Sequence, residues 1–223
     1  MKNVIKSVAV FMIMVMVFNS CGSGGAPKVK DNPLLGNTLS ILASYEHEQG
    51  KIRKKRDKEY EDASSFGELG KAKKKYEQKM EDLYSKYAQK AEEESNKIAG
   101  TEIPYVITDG LKYAIEGPVT IQKTSVSESY GGGLTLEFNI RILKNNLRIT
   151  DRAYVVYMAG DKPIEADIEH FLMSYIDKVN IGDVVPIKIG VHLSGDLNNW
   201  SDFNLIKFTN AEEWNLLHDE LEK

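Results

Sequence analysis

Apolar positions follow two different periods along the chain. Between residues 38 and 98 they recur at intervals of three and four, the spacing of one face of a helix. From about Gly100 they alternate with polar residues in most segments, for example from Leu134 to Ile142, as in half-buried strands. The pattern therefore predicts a helical region over 38–98 and a mainly β region over 100–223.

The helical region divides into two helices. Asn37 or Thr38 can cap the first, and Ser65 with Glu68 three residues later fits a capping box that starts the second. A narrow seam on the second helix has spacings of four and three: Tyr76, Met80, Leu83, Tyr87 and Ala91. This seam predicts a helical hairpin or short coiled-coil arm. Because so polar a pair is marginal alone, we expect it to pack on the β region, on a partner or on a second copy. No repeat of fixed period is apparent.

The β region contains several short strand patterns. Strands are predicted at 119–121, 134–142, 154–158, 187–193 and 203–208. Tyr130 and the three glycines that follow predict a hairpin tip or mobile loop. Ile168, Phe171, Leu172, Tyr175 and Ile176 predict a short inserted helix, and Asn210 with Glu213 opens a terminal helix that has Trp214 on its apolar face.

Short strands separated by turns, without strand and helix alternation, favour an antiparallel sandwich. We therefore predict an α+β fold: a helical hairpin arm over 38–98, an immunoglobulin-like antiparallel β-sandwich over 100–223, and a C-terminal helix at its end. The Cys–Trp–Cys signature of immunoglobulin domains is missing from the sequence, so this likeness is one of architecture only.

The first twenty residues predict export. Lys2 and Lys6 precede an apolar run over residues 8–18, which is shorter than the about 20 residues that a spanning helix needs. A basic start, a short apolar run and small residues before the break are typical of a signal peptide, here residues 1–20. Residues 21–37, rich in Gly, Ser, Pro and Lys, then predict a flexible tether.

The end of this segment points to a lipid anchor. Phe18, Asn19, Ser20 and Cys21 resemble the lipobox of bacterial lipoproteins, although Leu and a small residue are usual at the first two positions. The resemblance covers only the first twenty-odd residues. It implies cleavage before Cys21, lipidation of that residue, and anchoring to a membrane without spanning it. Gly22 after the cysteine resembles lipoproteins sent to the outer membrane, on either face. The alternative is an ordinary secretory signal with Cys21 as a free or intermolecularly paired thiol.

Composition and charge exclude several classes of protein. The chain of 223 residues has 42% hydrophobic and 28% charged residues and a net charge of -4, which excludes a multi-span membrane protein or a wholly disordered chain. Residues 51–98 carry 14 basic and 11 acidic side chains, whereas 99–223 carry 11 basic and 19 acidic. The arm can therefore dock on the β region, attract anionic lipid head groups, or simply be solvated. We expect no nucleic acid partner, because the basic stretch 51–58 continues directly into acidic residues.

No catalytic, cofactor or metal motif is present in the sequence. The four histidines lack the spacing of a zinc site, and the loop over 196–202 lacks the Gly and Glu of a calcium loop. Tyr130, His192 and Trp200 can form a ligand platform, for example for sugar rings, if their loops meet at one end of the sandwich. Core packing is the alternative for Trp200.

These observations favour a membrane-anchored lipoprotein of the cell envelope, in the outer membrane, with a non-catalytic binding or structural role. Its expected partners are the membrane, through the lipid anchor, and an envelope protein or other envelope component bound by the sandwich, with the helical arm as a spacer or docking element. Its oligomeric state stays open, and self-association would use the seam at Tyr76, Met80, Leu83 and Tyr87. The alternative function is an extracytoplasmic glycan-binding or ligand-binding module, or a small hydrolase whose residues converge from distant loops.

Overall fold

The computed structural model describes residues 28–127, 131–144, 147–148, 151–175, 178–193 and 195–222. Four α-helices are described: α1 (Thr38–Glu61), α2 (Phe66–Ile98), α3 (Leu197–Trp200) and α4 (Ala211–Leu221). The described strands are β1 (Glu102–Ile103), β2 (Tyr105–Ile107), β3 (Tyr113–Ser127), β4 (Gly131–Ile142), β5 (Ala153–Ala159), β6 (Lys162–Glu169), β7 (Val184–His192) and β8 (Leu205–Thr209). A 3₁₀ helix spans Phe171–Tyr175.

The strands form two four-stranded sheets. Sheet I has the order β1-β3-β4-β7 and sheet II the order β2-β8-β5-β6. The described pairs are antiparallel except β2 with β8, which is parallel. Phe138 of sheet I lies against Phe208 of sheet II, with 5.3 Å between ring centroids, so the sheets share one apolar core. The α+β class, the largely antiparallel sheets and the C-terminal helix are confirmed.

The helical hairpin begins and ends close to where the sequence places it. Ser65 caps α2, because its Oγ accepts a hydrogen bond from the backbone N–H of Glu68 at 3.2 Å. Glu68 Oε2 in turn accepts from the backbone N–H of Ser64 at 2.9 Å. Asn37 makes no side-chain cap at the start of α1. Its backbone N–H is instead bound by a carboxylate oxygen of Glu94 from α2, at 2.9 Å.

Part of the predicted tether, just before α1, is held against the β region. Asn32 and Leu35 are both buried. The Asn32 amide nitrogen donates to the backbone oxygens of Trp200, Ser201 and Phe203 at 2.7–3.1 Å. A buried amide with three acceptors pins this segment to the loop after α3, so a tether that extends to residue 37 is wrong for residues 32–37.

The three glycines at 131–133 do not form a loop tip. They lie in β4, where Gly132 pairs with Val126 of β3 and packs under Leu42 of α1. The neighbouring strand also contacts the hairpin, because Thr124 Oγ1 on β3 donates to the backbone oxygen of Ala91 on α2 at 3.0 Å. Glycine is required here for the close approach of a helix to a strand rather than for a turn.

The predicted inserted helix also needs correction. Ile168 lies in β6, and the helical part is a single 3₁₀ turn at Phe171–Tyr175. The sequence pattern does not predict β6 as a strand, because its polar face points toward the other sheet and its apolar face points away from it. Ala166 and Ile168 lie on the opposite face, on the side of the sheet where α4 packs.

Candidate functional site

The hairpin is held together by two similar polar rungs. In the first, the hydroxyl of Tyr87 donates to Glu48 Oε1 at 2.8 Å, and the Lys86 ammonium contacts the same carboxylate at 3.0 Å. In the second, the hydroxyl of Tyr76 donates to Glu59 Oε1 at 2.7 Å, and Lys75 pairs with that carboxylate. Low residue numbers on α1 meet high numbers on α2, so the helices run antiparallel.

Each tyrosine ring is also flanked by two ammonium groups. Lys86 and Lys90 lie 4.9 and 4.8 Å from the ring centroid of Tyr87. Lys75 and Lys79 lie 5.2 and 5.0 Å from the ring centroid of Tyr76. These are cation–π distances. The rungs therefore have the same composition: one carboxylate, one tyrosine and two lysines.

The two rungs form a repeat that the sequence analysis missed. Lys75, Tyr76 and Lys79 recur eleven residues later as Lys86, Tyr87 and Lys90, and Glu48 recurs eleven residues later as Glu59. Eleven residues make three turns at 3.67 residues per turn, so both rungs fall on the same face of each helix. The signal in the sequence is the repeated Lys-Tyr-x-x-Lys pattern on one helix combined with equally spaced glutamates on the other.

The charges of the rungs are fixed near neutral pH. Burial disfavours the Glu48 carboxylate, but hydrogen bonds from Tyr87 and Lys86 outweigh it and lower the pKa of Glu48. Hydrogen bonds from Lys75 and Tyr76 lower the pKa of Glu59. Burial, and then the hydrogen bond to Glu48, raises the pKa of Tyr87 to about 12. Both glutamates are thus ionised and Tyr87 is neutral, as the hydrogen bonds require.

The part of the hairpin beyond the first rung stands away from the sheets. We call residues 50–86 the distal arm. On α1 the buried residues end at Gln49, and the hydrogen bonds and ion pairs described for the distal arm are all made within the hairpin. Phe66, near its tip, is 95% exposed. The part of α2 in the distal arm, residues 66–86, rises about 30 Å at 1.5 Å per residue, so the distal arm projects into solvent.

The seam residues join α1 to α2 within one chain. Tyr76, Leu83 and Tyr87 are buried, Met80 is partly exposed, and Tyr87 packs on Tyr45 with 5.6 Å between ring centroids. Self-association through this seam stays a prediction, and it would have to use the outer surface of the hairpin or open the two helices.

The structure describes two of the three residues of the predicted ligand platform. Tyr130 lies outside the described residues. Trp200 is 0% exposed and packs on Tyr157 and Phe203, with ring centroids 5.6 and 5.5 Å away, so it offers no face to a ligand. Trp200 therefore follows the core-packing alternative. His192 is exposed at the end of β7, where its charge acts on Asp167 of β6.

Other candidate chemistry is explained by local structure where the chain is described. Asp196 Oδ1 accepts from the backbone N–H of Asn198 at 3.0 Å, which caps the short helix α3. Within the described ranges, no cluster of three or more His, Cys, Asp or Glu side chains is arranged to hold a metal ion. Cys21 precedes the first described residue. Over the described part of the chain, no helix is long and apolar enough to cross a membrane.

No protein-family model, curated protein or solved structure matches this chain.

Proposed function

We propose that this protein is a non-catalytic binding protein of the cell envelope, anchored through lipidated Cys21, whose distal arm docks on a protein partner. The observation that carries the proposal is the projecting distal arm. Its repeated rungs stiffen a helix pair that has little apolar seam of its own. A stiff projecting arm is suited to reach a second molecule.

The charge of the hairpin indicates the chemistry of the partner surface. Residues 51–98 have a net charge of +3, and their lysines and arginines are distributed over both helices. The rungs use Lys75 and Lys86 internally, whereas Lys54, Lys55 and Lys71 are exposed in the distal arm. We expect an acidic surface on the partner, because charge complementarity raises the association rate and selects the partner.

The anchor and the fixed core would be close together. Asn32 is pinned to the core, so the tether between Cys21 and Asn32 is eleven residues at most, or about 38 Å when fully extended. The core would therefore stay near the bilayer while the hairpin reaches the partner.

We also propose that the two sheets form a sandwich of immunoglobulin-like architecture. The contact between Phe138 and Phe208 across the sheets supports this proposal. The likeness does not extend to connectivity. Strand β2 pairs with β8 in parallel, whereas immunoglobulin domains are built from two antiparallel sheets.

The docking proposal is tested by a shortened hairpin. Deleting residues 50–60 and 75–85 removes eleven residues from each helix, which is three turns, so the remaining faces keep their phase. We would cross-link the full-length chain and this variant in native envelopes and identify the attached proteins by mass spectrometry. A partner lost only with the shortened hairpin supports docking by the distal arm. The same partner captured by both forms, or none by either, contradicts it.

A point variant with a matched control sharpens this test. Phe66→Ser removes the most exposed aromatic side chain of the distal arm, and Leu216→Ser makes a similar change on the exposed face of α4. We expect weaker capture of the partner with the first and unchanged capture with the second. Lipidation is tested separately by labelling with a palmitate analogue, which Cys21→Ser should abolish.

A further inference from the structure

Three aliphatic side chains are exposed where β4 ends and β7 begins. They are Leu143, Ile181 and Val184, with exposed fractions of 44%, 61% and 47%. The two chain segments that carry them are hydrogen-bonded to each other, because the backbone N–H of Gly182 donates to the backbone oxygen of Ile142 at 2.8 Å. We call these three side chains the apolar end of the sandwich.

The segment that contains Leu143 is basic, although the β region as a whole is acidic. Residues 141–152 carry four basic side chains and one acidic side chain, whereas residues 99–223 carry 11 basic and 19 acidic. Arg141 is paired with Glu116 on the outer face of sheet I. Asp183, in the turn before β7, accepts a backbone N–H of the same turn at 2.8 Å. The apolar end is therefore flanked by an excess of positive charge.

Two exposed cations lie beside the apolar end. Lys144 directly follows Leu143 and forms no ion pair within the described ranges. Arg148 is held nearby, because its backbone N–H donates to Asp151 Oδ2 at 2.6 Å and Asp151 pairs with Lys112. The backbone oxygen of Lys112 in turn accepts from the backbone N–H of Leu143 at 2.8 Å. The charge of Arg148 also acts on Asp151, but one carboxylate cannot neutralise both Arg148 and Lys112.

The apolar end lies opposite the end where the distal arm leaves the sandwich. Gly100, just after α2, is hydrogen-bonded to Ile121 of β3. Ala91, further back along α2, is hydrogen-bonded to Thr124, so α2 approaches the distal arm as it passes toward the Ser127 end of β3. That end of β3 pairs with the start of β4, whereas the apolar end follows the last residue of β4, about 36 Å away along its 12 residues. The distal arm therefore points away from the apolar end.

We propose that the apolar end rests on a bilayer surface that contains anionic phospholipids. Its three aliphatic side chains would enter the boundary between head groups and acyl chains, and Lys144 and Arg148 would bind the lipid phosphates. The charge selects this occupant, because an anionic surface is complementary to the two cations. The aromatic side chains that anchor protein interfaces are missing from the three. This contact requires no lipid on Cys21.

The proposed lipid anchor is compatible with this orientation. Asn32 is held by the loop after α3, and Asn204 in that loop donates its backbone N–H to the oxygen of Met158 at 3.0 Å. Met158 is five residues, or about 17 Å, along β5 from Ala153, which lies near the apolar end. A tether of about 38 Å spans this distance. The apolar end can then contact the bilayer while the distal arm points toward a partner. This step alone rests on the proposed function.

The test places an environment-sensitive fluorophore at single cysteines of the full-length chain in which Cys21→Ser removes the native thiol. Ile181→Cys reports the apolar end, Phe66→Cys the distal arm, and Leu216→Cys the exposed face of α4. Each labelled chain is mixed with vesicles of phosphatidylcholine, with or without phosphatidylglycerol. We expect a blue shift of the emission at residue 181 only, and only with the anionic vesicles. Because this readout is local, association of the apolar residues 8–18 with either vesicle does not mimic it.

Charge variants of the chain labelled at residue 181 test the two cations. Lys144→Gln and Arg148→Gln should each raise the concentration of anionic vesicles needed for half of the shift about fivefold. Lys162→Gln is the matched control, because Lys162 is exposed in the turn between β5 and β6, at the opposite end of the sandwich. It should change that concentration by less than about twofold. Equal melting temperatures would show that all variants are folded.

The outcomes separate the possible occupants of the apolar end. No shift at residue 181, or an equal shift with uncharged vesicles, overturns the proposal. A shift at residue 66 instead places the lipid contact on the distal arm and also overturns it. So does a shift at residue 181 that grows with protein concentration without vesicles, because a second copy then covers the apolar end. Lipidation of Cys21 does not enter this measurement, so its failure and the failure of this proposal are distinguishable.

Discussion

A Cβ atom at Gly132 would overlap the side chain of Leu42, because β4 passes directly beneath α1 at this position. Gly132→Ala should therefore lower the free energy of unfolding by about 1–3 kcal/mol, the usual cost of overpacking. Gly190→Ala is the matched control, since it also lies in a strand but a Cβ there meets nothing within 4 Å. Urea unfolding of both variants measures the difference. Equal stabilities would show that the helix does not approach β4 closely in solution.

Removing the hydroxyl of a rung tyrosine should lower the free energy of unfolding, whereas removing that of a tyrosine outside the rungs should not. Tyr87→Phe leaves the Glu48 carboxylate without its tyrosine donor, so we expect a loss of about 1 kcal/mol in the free energy of unfolding. Tyr84→Phe, on the same helix and without a described hydrogen bond, should change little. Thermal unfolding followed by helical circular dichroism reports both. If the two variants melt alike, the rung does not stabilise the hairpin.

Local signals in the sequence predicted the parts of the fold that local chemistry determines. Ser65 and Glu68 set the start of α2 because a cap needs only residues three positions apart. The sequence did not show which face of β6 points toward the core. The inward face is acidic, and only the pairing of Glu165 with the buried Tyr157 reveals this orientation. Gly132 was misread for a similar reason, since the helix that requires it comes from ninety residues earlier in the chain.

The candidate sites were less predictable than the elements. Trp200 stands in a stretch rich in polar and turn-forming residues, and nothing local shows that Asn32, far away in sequence, pins its backbone into the core. The apolar seam predicted the hairpin but not its rungs, because hydrogen bonds between tyrosine and glutamate on two different helices leave no apolar heptad pattern. Contacts between distant residues decide both cases, and one sequence does not show them.

The half-buried carboxyl group of Glu169 on β6 predicts a contribution to stability that falls as the pH rises. The pKa of Glu169 is raised from 4.5 to about 7, so the folded protein holds this proton more tightly than the unfolded chain. Its contribution is complete below about pH 4.5 and is lost as the pH rises through about 7. Glu169→Gln should flatten the dependence of the free energy of unfolding on pH between 4.5 and 8. Glu102→Gln, at an exposed position, should leave the slope unchanged.

A second carboxylate, that of Glu213, titrates at a lower pH, so its effect on stability can be separated from that of Glu169. Hydrogen bonds from Lys207, Thr108 and Thr209 lower the pKa of Glu213 to about 2. Its stabilising effect is present above about pH 4.5 and is lost as the pH falls toward 2. A slope between pH 4.5 and 8 that persists in Glu169→Gln would therefore mean that another group dominates, such as Asp167, whose pKa burial also raises.

Asn32 predicts how firmly the N-terminal segment is held. Asn32→Asp removes the amide that donates to Trp200, Ser201 and Phe203 and places a carboxylate against three backbone oxygens. We expect a loss of about 2–4 kcal/mol, because buried acceptors lose their donor and a charge is buried without a partner. The control is Asn139→Asp, at an exposed position on β4. Limited proteolysis should then cleave within residues 28–37 in the Asn32 variant only. If cleavage there is equally fast in the unaltered chain, the segment is a free tether after all, and the anchor would hold the core much less closely to the membrane.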